Sequence, residues 1–435
     1  MRGKWWEIYK DPALNALEEQ VNISNQNVLL AEAQYHEARD QVRIARSNLF
    51  PSISANPTIT QSRGSATLYG SQAGAVSALT TTRTVYSMPV DVSYQADVWG
   101  SIRHTVRASS DVAQASAAQL ENARLTYQAE LAEFYFELHG LDSEADLLQR
   151  TEASYRDYLQ LTKDRFNVGI ASGSDVAQAQ TQLATTDAQL IDLGVLRAQY
   201  EHAIAILVGK PPSEVTIPSV LLTTLPPPVQ PGLPSALLER RPDIAAAERQ
   251  VAAQNEEIGV ARAAFFPVVS LSVTAGFESG DISKWFTWPS RFWSLGPAFA
   301  QPLFEGGRLH AQLHLQEDTY DATVASYRQT VLTAFQQVED NMAALRVLEN
   351  EAQAEATAVK AAQESLDIST AQYKAGTADY LQVITSQSVL LADQSTAVNI
   401  LTRRLTSSVL LIEALGGGWD TSQVPSYHDI VANKK

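Results

Sequence analysis

The chain has 435 residues and carries 32 Lys+Arg against 48 Asp+Glu, a formal net charge of −16. That balance argues against a nucleic-acid partner, whose phosphates require Lys/Arg-rich surfaces; the absence of cysteine excludes a disulfide framework, a thiolate metal site and a Cys nucleophile. No apolar run reaches the ~18 residues of a transmembrane helix, and Met1-Arg2-Gly3-Lys4-Trp5-Trp6 opens the chain without a signal-peptide core.

An Ala/Glu/Gln-rich run over residues 13–49 predicts a helix with Phe50 as its last residue, because Pro51 drives its predecessor out of the helical region. The period then changes. Ile53, Ala55, Pro57 and Ile59 alternate with Ser52, Ser54, Asn56 and Thr58; Val90, Val92 and Tyr94 alternate with Asp91, Ser93 and Gln95. Period two marks strands with one apolar and one polar face, forming a hairpin over residues 52–96. Pro57, Pro89, Pro297 and Pro302 predict bulges or weakly paired positions. From Gly100 to Gly169 there is no proline, which gives a helix of about 100 Å if continuous, with Gly140 a candidate interruption. The next helix, 174–208, carries a heptad seam at 176, 179, 183, 186, 190, 193, 197, 200, 204 and 207. Pro211 to Pro234 holds eight prolines and reads as an extended connector. The same order then recurs. A helix over 243–265 ends at Phe266-Pro267, and Val269, Leu271, Val273, Ala275, Phe277, Trp293, Leu295 and Phe299 alternate with small or polar residues in a hairpin over 268–303. A proline-free run from Gly307 to Gly376 and a final helix follow.

The recurrence is a duplication. Ala31-Glu32 matches Ala247-Glu248 and Phe50-Pro51 matches Phe266-Pro267 at an offset of 216, while Gly169 matches Gly376 and Gly209 matches Gly416 at 207. Residues 1–210 form one copy with its helical turn near 169, 211–242 the connector, 243–416 the second copy with its turn near 376, and 417–435 a tail. Each strand is about as long as a tilted membrane-crossing strand. Tyr69, Tyr86, Tyr94, Trp99, Trp285, Trp288 and Trp293 cluster in or beside the strands, as expected of side chains at the headgroup level. At the turns, Gly169 and Gly376 suit left-handed helix ends, and Ser172 or Ser174, and Thr377 or Asp379, are available to cap the following helices.

The segment from Gly232 through Arg240-Arg241-Pro242-Asp243 to Phe266-Pro267 resembles the outer-membrane factors of tripartite efflux pumps, the TolC-like channels, in their lipoprotein branch associated with resistance-nodulation-division transporters. Trp5-Trp6 with Asp11-Pro12, the run from Gln301 to Arg308, Tyr373 to Thr377 and Leu415 to Trp419 extend the likeness over the chain. The resemblance implies a mainly α fold with a small β part: a trimeric α-helical barrel plus a 12-stranded transmembrane β-barrel, four strands per protomer, with connector and tail in an equatorial belt. It implies the outer membrane of a Gram-negative bacterium, extending into the periplasm and contacting outer-membrane lipid. The implied partners are a homotrimer, a periplasmic adaptor protein and an inner-membrane transporter, without a cofactor. The adaptor would meet Val168, Gly169, Ile170, Ala375, Gly376 and Thr377. Asp175, Tyr373, Asp379, Leu381, Gln382 and Thr385 would form the channel entrance, although the family's constriction aspartates fall on Gln382 and Thr385 and its locking arginine on Ala378. The family's acylated N-terminal cysteine is absent, which implies a truncated or non-lipidated chain.

Enzyme readings find no support: there is no phosphate loop, no Gly-x-Ser-x-Gly and no His-Glu-x-x-His. His310 and His314 lack an evident third metal ligand. The alternative is a soluble periplasmic coiled-coil scaffold or adaptor, which would share the helices but has no need of two-faced strands flanked by tryptophans.

Overall fold

The computed structural model describes residues 3–65, 82–228 and 237–431. Tyr69, Pro231, Pro234, the beginning of the Gly232 segment and residues 432–435 of the tail lie outside the described residues. The described chain is mainly helical with one antiparallel sheet. A 3-10 turn, Trp5–Tyr9, leads to α1 (Pro12–Ser24), α2 (Gln26–Ser47), β1 (Ser52–Ala55), β2 (Thr58–Ser62), β3 (Arg83–Ala96), α3 (Ser101–Asn167) and α4 (Gly173–Leu207). The second copy supplies α5 (Pro242–Ala263), β4 (Val268–Ser279), β5 (Arg291–Ala300), α6 (Arg308–Ala375) and α7 (Tyr380–Ala414), with α8 (Tyr427–Val431) in the tail. No described helix is long and apolar enough to cross a membrane.

Four sequence expectations need correction. The first helical run is two helices, because Asn25 is extended and caps the second: its Oδ1 accepts from Asn27 N (2.9 Å) and Val28 N (3.1 Å). The α-helices before the strands stop at Ser47 and Ala263, three residues before the phenylalanines, and tighten through turns such as Phe50 N to Ser47 O (3.0 Å). Gly140 interrupts nothing; α3 runs 67 residues without a break, and a Cβ at 140 would collide with Thr402. The second hairpin ends at Ala300, short of 303.

The chain divides into two compact units, each drawing on both copies: Met1–Tyr35, Ser116–Ala246 and Tyr327–Val424 form the first, and His36–Ala115, Ala247–Ser326 and Pro425–Lys435 the second. In the first, Leu14, Leu131, Phe136, Leu138, Ile204 and Leu405 make a continuous core, each side chain contributing about 1.5–3 kcal/mol by leaving water. Tyr9 closes it, packing on Phe136 (4.9 Å between centroids) and sharing a hydrogen bond with Ser408 (2.7 Å). Asp11 accepts from Ala13 N and Leu14 N at the start of α1 and also from the Tyr135 hydroxyl (2.7 Å).

The heptad seam of α4 faces inward, and its charged member has a task. Arg197 Nε donates to Asp142 (2.8 Å), and Arg197 Nη2 donates to the Ile217 carbonyl in the connector (2.8 Å). Asp142 also takes bonds from His139 (3.0 Å) and Val220 N (3.2 Å). Burial pushes its carboxyl pKa up, but the bonds from His139, Arg197, Ser219 and Val220 outweigh that and hold it below the usual value. The connector is therefore pinned to the α3–α4 hairpin at Ile217 and Val220.

The duplication extends to tertiary bonds. Asn25 Nδ2 donates to the Leu207 carbonyl (2.8 Å), and Arg241 Nη1 donates to the Ala414 carbonyl (3.1 Å): equivalent helix ends closed by different side chains. Gly209 and Gly416, both at positive φ, follow those ends, where a Cβ would meet the backbone of Ser24 and Arg240 respectively. In the second unit, Val42, Ala113 and Ile430 form a small core, Arg46 donates to the Val431 carbonyl (2.9 Å), and Gly259 lets α5 approach the His104 ring.

Gly209→Ala and Gly416→Ala are expected to lower the thermal midpoint of the detergent-solubilised protein, each by about 1–3 kcal/mol of strain. Gly194→Ala, within α4 and facing open space, should instead be neutral or stabilising. Equal responses at all three positions would contradict the close-approach account.

Candidate functional site

The sheet order is β1–β3–β4–β5, with β2 continuing β1 along the same side of β3. Ser52↔Ser93 and Thr58↔Ser87 lie on one register, so β1 and β2 are a single strand interrupted at Asn56-Pro57. The partner strand accounts for the gap. Asn56 N donates to the Pro89 carbonyl (3.2 Å), and proline has no N–H to return the bond. On the other side Pro89 pairs with Gly276, where a Cβ would strike the Met88 carbonyl.

Register sorts the side chains of the central rows into two faces. Ile53, Val92, Val273 and Leu295 form one row across the sheet; Ala55, Val90, Ala275 and Trp293 form the next on the same face. Tyr94–Leu271–Pro297 and Ala96–Val269–Phe299 continue it. The opposite face carries Ser52–Ser93–Ser272–Gly296 and Ser54–Asp91–Thr274–Ser294, with Thr274 donating to Asp91 (2.7 Å). The apolar face is bare: Trp293 is 76% exposed and Phe299 73%. Such a continuous apolar surface marks contact with a partner or a membrane.

Aromatic rings bound this face. At the hairpin end Tyr86 meets Trp285 (5.6 Å), Trp285 stacks on Phe286 (4.9 Å), and Trp288 stands exposed. At the helical end Trp99 stacks on Phe266 (4.7 Å) and donates its indole N–H to the Pro267 carbonyl (2.8 Å). Tyr94 lies toward that end, and Trp293 lies two pairs in from the other. From the Tyr86 row to the Ala96 row is ten residues, about 33 Å along the strand, close to a bilayer's hydrocarbon thickness once tilted.

The second candidate site is the pair of helical turns in the first unit. Gly169 N bonds to the Phe166 carbonyl and Ile170 N to Arg165; Gly376 N bonds to Tyr373 and Thr377 N to Gln372. Both are Schellman ends with glycine at φ +78°. Val168 and Ile170 are 68% and 66% exposed, and Ala375, Gly376 and Thr377 are exposed too. Of the capping candidates, Ser172 closes a capping box with Asp175, whose carboxylate accepts from Ser172 N (2.9 Å). Asp379 occupies the N-cap position of α7 without a side-chain bond.

Tyr373 is buried. It packs with Leu159, Ala179, Tyr380 and Val383, and Arg165 covers its ring with the guanidinium carbon 4.4 Å from the centroid. Arg165 also donates to the Tyr373 carbonyl, so one side chain ties the end of α3 to the end of α6. Burial, then the neighbouring tyrosines and Asp175, raise the Tyr380 hydroxyl pKa and keep it protonated. Leu381, Gln382 and Thr385 lie exposed on α7. Sequence reading missed Arg165, whose place is visible only once the two hairpins meet.

It also missed a group of carboxyls at Glu130, Glu133, Glu137 and Glu413, although the spacing of the first three puts them along one helix face. Burial, then Glu413, Glu130 and Glu137, push the Glu133 carboxyl up to about 7. Among the described residues no group of three or more such side chains could hold a metal ion; His310 packs on Phe265 (5.1 Å) and His314 lies 3.4 Å from Glu317.

A family profile described as "Outer membrane efflux protein" matches residues 17–210 and again 233–417. The chain belongs to this family. It is 32% identical over 417 residues to the antibiotic efflux pump outer membrane protein ArpC of Pseudomonas putida, covering 95% of this chain and 85% of that one. It is equally similar to the toluene efflux pump outer membrane protein TtgC, also of Pseudomonas putida, with the same coverage. The solved outer membrane protein VceC of Vibrio cholerae superposes with a TM-score of 0.89 at 27% identity, over 97% of this chain and all of that one. This efflux protein is an outer-membrane channel component of a Gram-negative efflux pump, not an enzyme. The bare sheet face, which a soluble scaffold has no use for, accords with that membership.

Because folding holds a proton on Glu133 that the unfolded chain has released between its ordinary pKa of 4.5 and about 7, its contribution is fullest below 4.5 and is lost as pH rises through 7. Glu133→Gln should raise the thermal midpoint near pH 8 and leave it unchanged near pH 4. An equal gain at both pH values would point to packing instead.

Proposed function

We propose that three copies of this efflux protein close their sheets into a 12-stranded barrel, apolar face to lipid and polar face to water. The observation that supports this reading is the two-faced sheet whose edges, β1/β2 on one side and β5 on the other, are open among the described residues. Hydrocarbon tolerates no unpaired backbone, so the edges must find partners, and four strands are too few to close alone. Leu303 and Phe304, more than nine-tenths exposed just past β5, supply further surface for a neighbour, as do Leu315 and Leu332 on α6.

The helices then form the wall of a periplasmic tunnel. Residues 1–210 and 243–416 are its repeats, and 211–242 and 417–435 its belt. The exposed turns at Val168-Gly169-Ile170 and Ala375-Gly376-Thr377 meet a periplasmic adaptor, which couples the duct to an inner-membrane transporter. Asp175, Tyr373, Asp379, Leu381, Gln382 and Thr385 surround the entrance: Leu381, Gln382 and Thr385 face the opening, while Tyr373 and Asp175 hold the turns in shape. The cargo is small molecules, as the antibiotic and toluene named for the relatives are, and the duct passes them without binding them.

Purified protein should require detergent, run as a trimer and give stepwise ion conductance in planar bilayers. A monomer stable in buffer alone would refute the barrel. Arg165→Ala, which frees α6 from α3, should raise the open fraction of the conductance; an unchanged open fraction would remove Arg165 from the entrance. Gly169→Trp and Gly376→Trp should weaken adaptor pull-down at least tenfold while trimers still assemble, and intact adaptor binding would displace the tip assignment.

A further inference from the structure

The loop between β4 and β5 is built to a fixed shape. The Lys284 carbonyl accepts three bonds, from Thr287 N (3.2 Å), Thr287 Oγ1 (2.8 Å) and Ser290 Oγ (2.7 Å). Asp281 caps the turn by accepting from Ser283 N (2.9 Å). The rings of Trp285 and Phe286 stack, and Phe286 meets Phe277 of β4 (5.8 Å). Arg291 lies over the Trp288 ring at 3.5 Å, and its position opposite Phe277 puts it on the apolar face of the sheet.

Charge distinguishes the two ends of that face. At the helical end two arginines are neutralised within the chain: Arg103 pairs with Asp97 (2.9 Å) and Arg308 with Glu305 (2.5 Å). At the hairpin end neither Lys284 nor Arg291 has a carboxylate oxygen within 4 Å among the described residues; Asp281 is bonded to Ser283 and interacts with the Lys284 charge only from beyond that distance. In a chain of net charge −16, two cations with no carboxylate in contact lie in a loop of aromatic rings at the rim of the apolar face. A guanidinium over an indole ring, with an ammonium in the same loop, is suited to a phosphate at the level where lipid headgroups begin.

We propose that Lys284 and Arg291, in the loop that carries Trp285, Phe286 and Trp288, bind the phosphate-bearing headgroup of an anionic lipid in the outer leaflet. The inference rests on the membrane reading of the sheet given above. Lipid chains would lie against Trp293 and Leu295, so a single lipid meets both the cations and the apolar face.

The test uses the full chain reconstituted as trimer in phosphatidylcholine vesicles, with indole fluorescence quenched by either dibrominated phosphatidylglycerol or dibrominated phosphatidylcholine. Wild type should favour the anionic quencher by about fivefold per cation. Lys284→Gln with Arg291→Gln should bring that preference to near unity while quenching by brominated phosphatidylcholine persists, and Arg291→Lys should retain most of it. No preference in wild type, or a preference surviving the double substitution, overturns the inference. Loss of the preference on adding millimolar inorganic phosphate marks a free-anion site and overturns the lipid assignment. Absence of quenching by both lipids instead overturns the membrane reading itself.

Discussion

A backbone placed in hydrocarbon must have every N–H and C=O paired, and this constraint organises the β part of the molecule. Among the described residues one chain pairs β1 and β2 with β3, β3 with β4 and β4 with β5, which leaves two edges open. A soluble sheet with such edges carries charges or a covering helix. Here the rows across the sheet are valine, leucine, alanine and tryptophan on one face and serine, threonine and aspartate on the other. An open edge beside an unprotected apolar face calls for a partner, and the proposed ring of three copies would supply it.

The helical part obeys a different economy. Its apolar stripes are narrow, and its specificity comes from helix ends and close approaches. Gly209 and Gly416 turn the chain where a Cβ has no room, and Asn25 and Arg241 close equivalent carbonyls. That an amide does this in one copy and a guanidinium in the other shows how the repeats diverged: the carbonyl has to be satisfied, and any donor of the right reach will serve. Asp142, His139 and Arg197 do similar work for the connector, replacing the ladder bonds that a proline-rich strand cannot make.

The tip joins these themes. Two Schellman turns of the same geometry expose small and apolar residues, and Arg165 ties one hairpin to the other through the Tyr373 ring and carbonyl. The turns themselves were legible as glycine after a long helix followed by a capping residue. The tie was not. Arg165 and Tyr373 are 208 positions apart, and nothing in the local pattern of either distinguishes a bridging arginine from a solvated one. The buried state of Tyr373 was hidden for the same reason.

Local periodicity is written in the chain, so the duplication, the long helices, the two-faced strands, the aromatic rims and the family resemblance could all be read from residue order alone. The break at Asn25 could not, because a polar residue within a helical run is ordinary until the Leu207 carbonyl is beside it. Pro57 and Pro89 marked weak pairing in the strands, but that Pro89 stands opposite Asn56, where its missing N–H divides the first strand, was not visible. The order of the sheet, in which the two copies join through β3 and β4, was equally out of reach. Those features were settled by folding in three dimensions, since each depends on a donor, an acceptor or a clash supplied by a residue far along the chain, and spacing within one segment carries no information about it.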